Sequence, residues 1–315
     1  MPLPISLEHI NLYLLEDDDG WWLIDCGMNT AQIKSHWLTI FKTLMPGAAV
    51  KGVICTHLHI DHIGLAGWLC RHFGAPLLMS RKEHEEASYF LNLKDEALID
   101  EVILHYQLHG VAEKNMSLFT QGMYSYHKHV SPLPSTFTTL TDGDELTIAG
   151  RQWQVITTAG HSPEHISLYC EEARLLIAGD QVLPAITPNI SVLPHHPDNN
   201  PLAHWFSALA RLHTDLHVKT QVLPAHNLPF LGLHTRLQAM EEHHVKKLKL
   251  ILQWCREPKS TFEILKLLFK RDIEESHMSI ALGETLAHLN YLTETKQLSR
   301  NIDDAGIYSY HLGPL

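Results

Sequence analysis

The sequence predicts a layered α/β protein that ends in a small helical module. Three observations carry this. Apolar runs of strand length alternate with helix-length amphipathic segments, and the texture turns mainly helical after residue 234. No apolar run approaches the roughly 18 residues a membrane span needs. At 315 residues, 45% hydrophobic and 19% charged, the chain is long enough for one large or two medium domains, each with a full core.

The elements follow in order. Apolar runs at residues 10–15 and 21–24 flank the turn Asp17-Asp18-Asp19-Gly20 and read as a hairpin. Residues 51–56 read as a buried strand and 64–73 as the helix after it. A helical stretch from about 80 to 142 opens on Ser80-x-x-Glu83, a capping-box pattern, and continues through Leu91, Leu98, Val102 and Leu108. It reads as an inserted lid or as plain packing helices. Strands are expected again at 152–158, 166–170, 174–178 and 220–223. Beyond residue 234, Leu237, Met240, His244, Leu248, Ile251 and Cys255 mark one helix face, which Pro258 ends. Ser260-x-x-Glu263 caps a second helix to residue 269, and a third spans about 276–292. The turn Asp303-Asp304-Ala305-Gly306 then joins a terminal hairpin. Three helices and a hairpin outline a winged-helix-like module. The expected domains are 1–234, containing the insertion, and 235–315, a linker helix plus that module.

Composition narrows the setting. Five cysteines, scattered and without a CxxC, argue against a disulfide framework, and the acidic opening lacks the basic start of a secretory signal. A cytoplasmic protein is expected, with Cys26 and Cys55 as core residues. The formal charge is −11, and the whole deficit lies before residue 235, since residues 235–315 carry 11 basic and 11 acidic side chains. An acidic surface repels phosphate backbones, so nucleic acid is disfavoured as a partner. A small-molecule substrate is expected, no membrane, and a homodimer is compatible with the apolar helix face.

Twenty-five histidines are the other outlier. The decisive segment is His57-Leu58-His59-Ile60-Asp61-His62, an HxHxDH pattern directly after a predicted strand. In extended chain His57 and His59 point the same way, and where a helix begins Asp61 and His62 turn toward a second point. Three imidazoles and a carboxylate in six residues are costly to bury without a cation. Imidazole with carboxylate suits zinc, with manganese or iron as alternatives.

With this segment the sequence resembles the metallo-β-lactamase superfamily. Asp25 in Leu23-Ile24-Asp25-Cys26-Gly27 matches its early strand-end aspartate. His161 in Ala159-Gly160-His161-Ser162-Pro163-Glu164-His165, Asp180 in Ala178-Gly179-Asp180 and His226 in Pro224-Ala225-His226 match the later landmarks, all in family order. The resemblance implies an αββα metallo-β-lactamase sandwich with two divalent metal ions at one edge. His57, His59 and His161 would hold one ion and Asp61, His62 and His226 the other, with Asp180 bridging them. Asp25 and His165 would support the ligands from behind. The C-terminal module resembles the winged-helix domain of one branch. Two departures stand out: Asn227, where glycine commonly follows the last ligand and which is expected to narrow or polarise the pocket floor, and Cys26, where threonine or serine is common.

The activity so implied is zinc-dependent hydrolysis. A hydroxide bridging the metals would attack an ester, thioester or lactone, with Asp61 and Asp180 as catalytic residues. A metal-dependent endoribonuclease or phosphodiesterase is the main alternative, followed by a single-iron sulfur dioxygenase and a non-enzymatic metal-bound scaffold. Against the nuclease, residues 272–295 carry no Lys or Arg but five acids, Asp272, Glu274, Glu275, Glu284 and Glu294. The basic Lys246-Lys247-Lys249 run reads as a solvated helix face. Candidate substrate contacts are Tyr124, Tyr126, Asn189, His195 and His196.

Overall fold

The computed structural model describes residues 1–3, 8–93, 96–269 and 277–313, and within them all side chains except those of 96–99 and 121–124. The chain forms two compact units. The first comprises Met1–Asn92, Ser125–Pro188 and Leu212–Arg236. The second comprises Leu93–Tyr124, Asn189–Arg211 and Leu237–Leu315.

The first unit holds two five-stranded sheets. One orders β1 (Tyr13–Asp17), β2 (Gly20–Ile24), β3 (Val50–Ile54), β4 (Leu77–Met79) and β5 (Thr138–Thr139), with only the first pair antiparallel. Its parallel steps are crossed by α1 (Ala31–Thr43), then by α2 (Ile60–Ile63) and α3 (Ala66–Phe73). The helix α4 (Arg81–Asn92) follows β4, and α5 (Glu96–Leu108) and α6 (Met116–His129) continue the insertion. The second sheet contains β6 (Glu145–Ile148), β7 (Arg151–Thr158), β8 (His165–Cys170) and β9 (Leu175–Gly179). It ends, beyond α7 (Pro201–Asp215), on β10 (Gln221–Pro224), which runs parallel to β9.

Strand alternation builds the core. Ile24, Ile54 and Leu78 from the first sheet meet Ile148, Trp153, Val155, Ile166, Leu168 and Ile177 from the second. Fully burying one such aliphatic side chain contributes about 1.5–3 kcal/mol. Every residue of β8 is buried, so both its faces are covered, and its non-core face carries His165, Ser167 and Tyr169.

The helix α8 (Leu233–Trp254), most of which lies in the second unit, buries Leu237, Met240, His244, Leu248 and Ile251, and Cys255 just past its end is buried too, the face the spacing picks out. After it come β11 (Lys259–Ser260), α9 (Thr261–Leu268), α10 (Met278–Glu294) and the hairpin β12 (Leu298–Ile302)–β13 (Tyr308–Leu312), with β11 adding to β13. Asp303 Oδ1 closes the hairpin turn by accepting from the N–H groups of Ala305 and Ile307. Between α8 and α10, Lys247 pairs with Glu284, and His244 Nδ1 lies 3.2 Å from His288 Nε2. Burial pushes His288 down to about 4, and as a neutral ring it donates from Nδ1 to the Glu284 carbonyl and accepts on Nε2 from His244 Nδ1. Asp272, Glu274 and Glu275 lie outside the described residues.

Element edges shift for identifiable reasons. Residues 10–12 leave the first strand because Ile10 N–H donates to Met1 and Asn11 N–H to Ala225. The helix expected from residue 64 starts earlier and breaks, with His59 at the start of α2 and a second start after Leu65. Among the described residues no helix is long and apolar enough to cross a membrane.

Candidate metal centre

The loop after β3 delivers His57 and His59, the latter extended (φ −62°, ψ 146°) as it enters the single turn of α2, which delivers Asp61 and His62. His161 comes from the β7–β8 connection, Asp180 directly follows β9, and His226 stands two residues past the end of β10. The chemistry therefore gathers at the C-terminal ends of parallel strands and the loops beside them, where backbone groups are released from the ladder.

Seven side chains meet as two groups. In one, His57, His59, His161 and Asp180 each present a ligand-type atom within 4.8 Å of the others; in the other, Asp61, His62 and His226 do the same. Within the first group His57 Nε2 lies 2.9 Å from His59 Nδ1 and 3.2 Å from His161 Nε2. Asp180 spans both groups. Its Oδ2 faces His161 Nε2 at 3.5 Å, and its Oδ1 faces His62 Nε2 at 3.4 Å and His226 Nε2 at 3.3 Å. His226 Nε2 is also 3.5 Å from Asp61 Oδ2.

Whether this set fits a cation is answered by its orphaned atoms. His62 Nε2, His226 Nε2 and Asp180 Oδ1 are buried, face one another, and make no well-aimed hydrogen bond. Burial opposes charge on His62, yet the Asp180, Asp25 and Asp61 carboxylates outweigh it and lift its pKa well above the ordinary value. Burial and neighbouring imidazoles hold His57 well below, and His59 is lowered to about 3. Neutral imidazoles beside carboxylates that draw in positive charge make a donor set suited to divalent ions.

Partners behind the ring orient it. Asp25 Oδ2 takes His62 Nδ1 at 2.7 Å, and Asp25 Oδ1 accepts from the Thr56 N–H at 2.7 Å. Asp25 itself sits at φ 60°, a left-handed conformation aspartate tolerates better than most residues. Thr56 Oγ1 reaches both Asp25 and His57 Nδ1. His165, fully buried, accepts the Asp180 N–H on Nε2 at 3.2 Å. Gly179, at φ 52°, makes room for it, because a Cβ there would lie 2.6 Å from His165 Nε2. His226 Nδ1 donates to the His9 carbonyl at 2.8 Å.

The structure corrects the cap expected at Ser80 and the substrate role expected of Tyr126, and it shows where the other singled-out residues lie. Ser80 and Glu83 form no capping box. The Ser80 hydroxyl donates to the Glu164 carbonyl, and Glu83 accepts from Leu58 N–H at 2.9 Å, Ser162 Oγ at 2.6 Å and Glu164 N–H at 2.7 Å. Tyr126 is buried and donates to the Leu58 carbonyl at 2.6 Å, so it supports the ligand loop from within. The Tyr124 side chain lies outside those described. Asn189 bonds Ser191, and the His195 and His196 rings lie 4.4 Å apart at a 48° tilt. Asn227 sits at φ 67°, which is why glycine suits that position, and its N–H donates to His9 Nε2. Cys26 and Cys55 are buried with sulfurs 3.6 Å apart. Sequence reasoning passed over Thr56, His9 and the role of Glu83.

Comparison with known proteins identifies the fold. The metallo-beta-lactamase superfamily matches residues 6–226, and the metallo-beta-lactamase-like C-terminal domain matches residues 248–312. The chain belongs to the metallo-β-lactamase superfamily. It is similar to a beta-lactamase domain protein from Burkholderia ambifaria (37% identity, 99% of this chain and 91% of that one, TM-score 0.91). A metallo-beta-lactamase family protein from Thermus thermophilus follows at 28% identity, covering 99% of this chain and 96% of that one, TM-score 0.83. The probable metallo-hydrolase YflN of Bacillus subtilis is 31% identical over 57% of this chain, a match spanning 63% of that protein's length.

Proposed function

We propose that the metallo-hydrolase chemistry of this superfamily is directed, in this chain, at an ester, thioester or lactone bond of a small molecule. The observation that carries the reading is Asp180, whose two carboxylate oxygens face separate groups of buried imidazoles. Two divalent cations, zinc in first place and manganese or iron as alternatives, would be held by His57, His59 and His161 and by Asp61, His62 and His226, with Asp180 common to both. Bound there, they supply Lewis acidity and make water a nucleophile near neutral pH.

The chain's own residues do the rest. Asp25 and Thr56 fix the His62 and His57 rings, so that each Nε2 faces the site. His165 holds the Asp180 backbone, and the His9 carbonyl fixes the His226 tautomer. Asp61, whose pKa its histidine neighbours lower against burial, stays a carboxylate and takes the proton of the attacking water. The acidic balance of residues 1–234 disfavours a polyanionic substrate.

Elemental analysis coupled to a panel of ester, thioester, lactone and phosphodiester substrates tests this. Two ions per chain, predominantly zinc, and turnover of the acyl substrates are expected. A single iron per chain, with hydrolysis unaffected by its removal, overturns the reading. Metal-dependent cleavage confined to phosphodiesters promotes the nuclease alternative.

A further inference from the structure

We infer that Glu83 is a positioning residue that sets the separation of the two histidine loops holding the first ion. The inference rests on the metal-site reading above. Glu83 lies in the first turn of α4 and is fully buried, and its carboxylate makes three hydrogen bonds to two segments far apart in sequence. On Oε2 it accepts the N–H of Leu58, the residue between His57 and His59. On Oε1 it accepts Ser162 Oγ and the Glu164 N–H, immediately after His161. All three contacts fall on loops of the His57–His59–His161 group, and none falls on Asp61, His62 or His226.

The chemistry of the acceptor is what matters. Both faces of this side chain meet donors, and a carboxylate is the one side chain of this size whose two oxygens both only accept. A glutamine would satisfy one face and turn its NH₂ on the donors of the other. A buried carboxylate is kept at a cost, and three charge-assisted hydrogen bonds offset part of it. Two neighbouring contacts hold the same loops: Tyr126 on the Leu58 carbonyl and Ser80 on the Glu164 carbonyl. Glu83 differs from them in touching both loops at once. It touches no candidate ligand atom, so its effect reaches the ion through the spacing of His57, His59 and His161.

The test is zinc titration of the full-length protein against a chromophoric chelator, comparing wild type with Glu83→Gln. Wild type is expected to bind two zinc ions. In Glu83→Gln, one ion should weaken by about 10- to 100-fold and the other should hold its affinity, as loss of a partner behind a ligand typically does. Adding Glu83→Gln to His59→Ala should weaken zinc no further, because both act on the same ion. If Glu83→Gln does not fold, Ser162→Ala removes one of the three donors without leaving a misdirected amide, and a smaller loss at the same single ion is expected. Unchanged affinities in a folded Glu83→Gln, equal weakening of both ions, or unchanged zinc binding in Ser162→Ala would each overturn the inference. A wild type that binds no zinc, manganese or iron would instead break the metal-site reading.

Discussion

Two helices of this protein start on the same four-residue pattern and use it in opposite ways. At Ser260-x-x-Glu263 the pattern is a true capping box. Ser260 Oγ accepts the Glu263 N–H, and the Glu263 carboxylate accepts the Ser260 N–H. At Ser80-x-x-Glu83 the same side chains turn away from their own helix and hold the loops around His57, His59 and His161. Their ionisation diverges accordingly. The Ser260 backbone N–H leads the interactions that lower Glu263, a mostly exposed carboxylate, whereas burial pushes Glu83 up to about 7 against its three donors. Local sequence proposes a cap at both places. What lies across the fold decides whether the helix or the site receives it.

The contrast can be broken at several points. The largest effect belongs to the site itself: Asp180→Asn should lower turnover by about 10²- to 10³-fold while moving the melting temperature little. Steady-state kinetics beside a thermal melt checks this, and near-wild-type turnover would remove Asp180 from its bridging position. Next comes pH. Glu83's pKa rises from an unfolded value near 4.5 to about 7, so its contribution is complete below 4.5 and lost as pH climbs through 7. In chelator-treated protein this amounts to roughly 3 kcal/mol across that window. Denaturant midpoints for wild type and Glu83→Gln should diverge from pH 4.5 to 7, and parallel curves would sink the point. Glu263 has the opposite sign, its contribution being lost as pH falls below 4.5.

Smaller effects separate the two serines. Ser260→Ala removes a cap and should cost about 1 kcal/mol, with hydrolysis and zinc affinity unchanged. Ser80→Ala loses one hydrogen bond, worth about 0.5–1.5 kcal/mol, and its mark should be a few-fold drop in zinc affinity that Ser260→Ala does not share. Should the two variants behave alike, the distinction between the helix starts would collapse.

What could be read in advance follows the same line. His57, His59, Asp61 and His62 lie within six residues, and Asp25, Asp180 and His226 stand at the ends of apolar runs, so their pattern is local and visible. The two-sheet core was legible through the alternation in residues 152–158 and 166–170. Glu83 was not, because its partners are 25, 79 and 81 residues away and its immediate neighbours imitate a cap. Tyr126 invited a substrate role by its type alone, and only its burial against Leu58 shows otherwise. The support His9 gives to His226, across 217 residues, leaves no trace in spacing. Ligands are a property of short segments here; what aims them is a property of the folded chain.

The threading of the chain through its two units has a consequence for how the protein is made. Residues of the first unit continue to Arg236, while the second recruits Leu93–Tyr124 and Asn189–Arg211 long before its last segment begins. Most of a ribosome's work is therefore done before either unit has all its parts, and the usual N-terminal-first order of domain folding has no early stopping point. The last candidate ligand, His226, emerges only ten residues before the first unit is complete. The group His57, His59, His161 and Asp180 is therefore complete in sequence by residue 180, whereas the group Asp61, His62 and His226 waits for the last of the three.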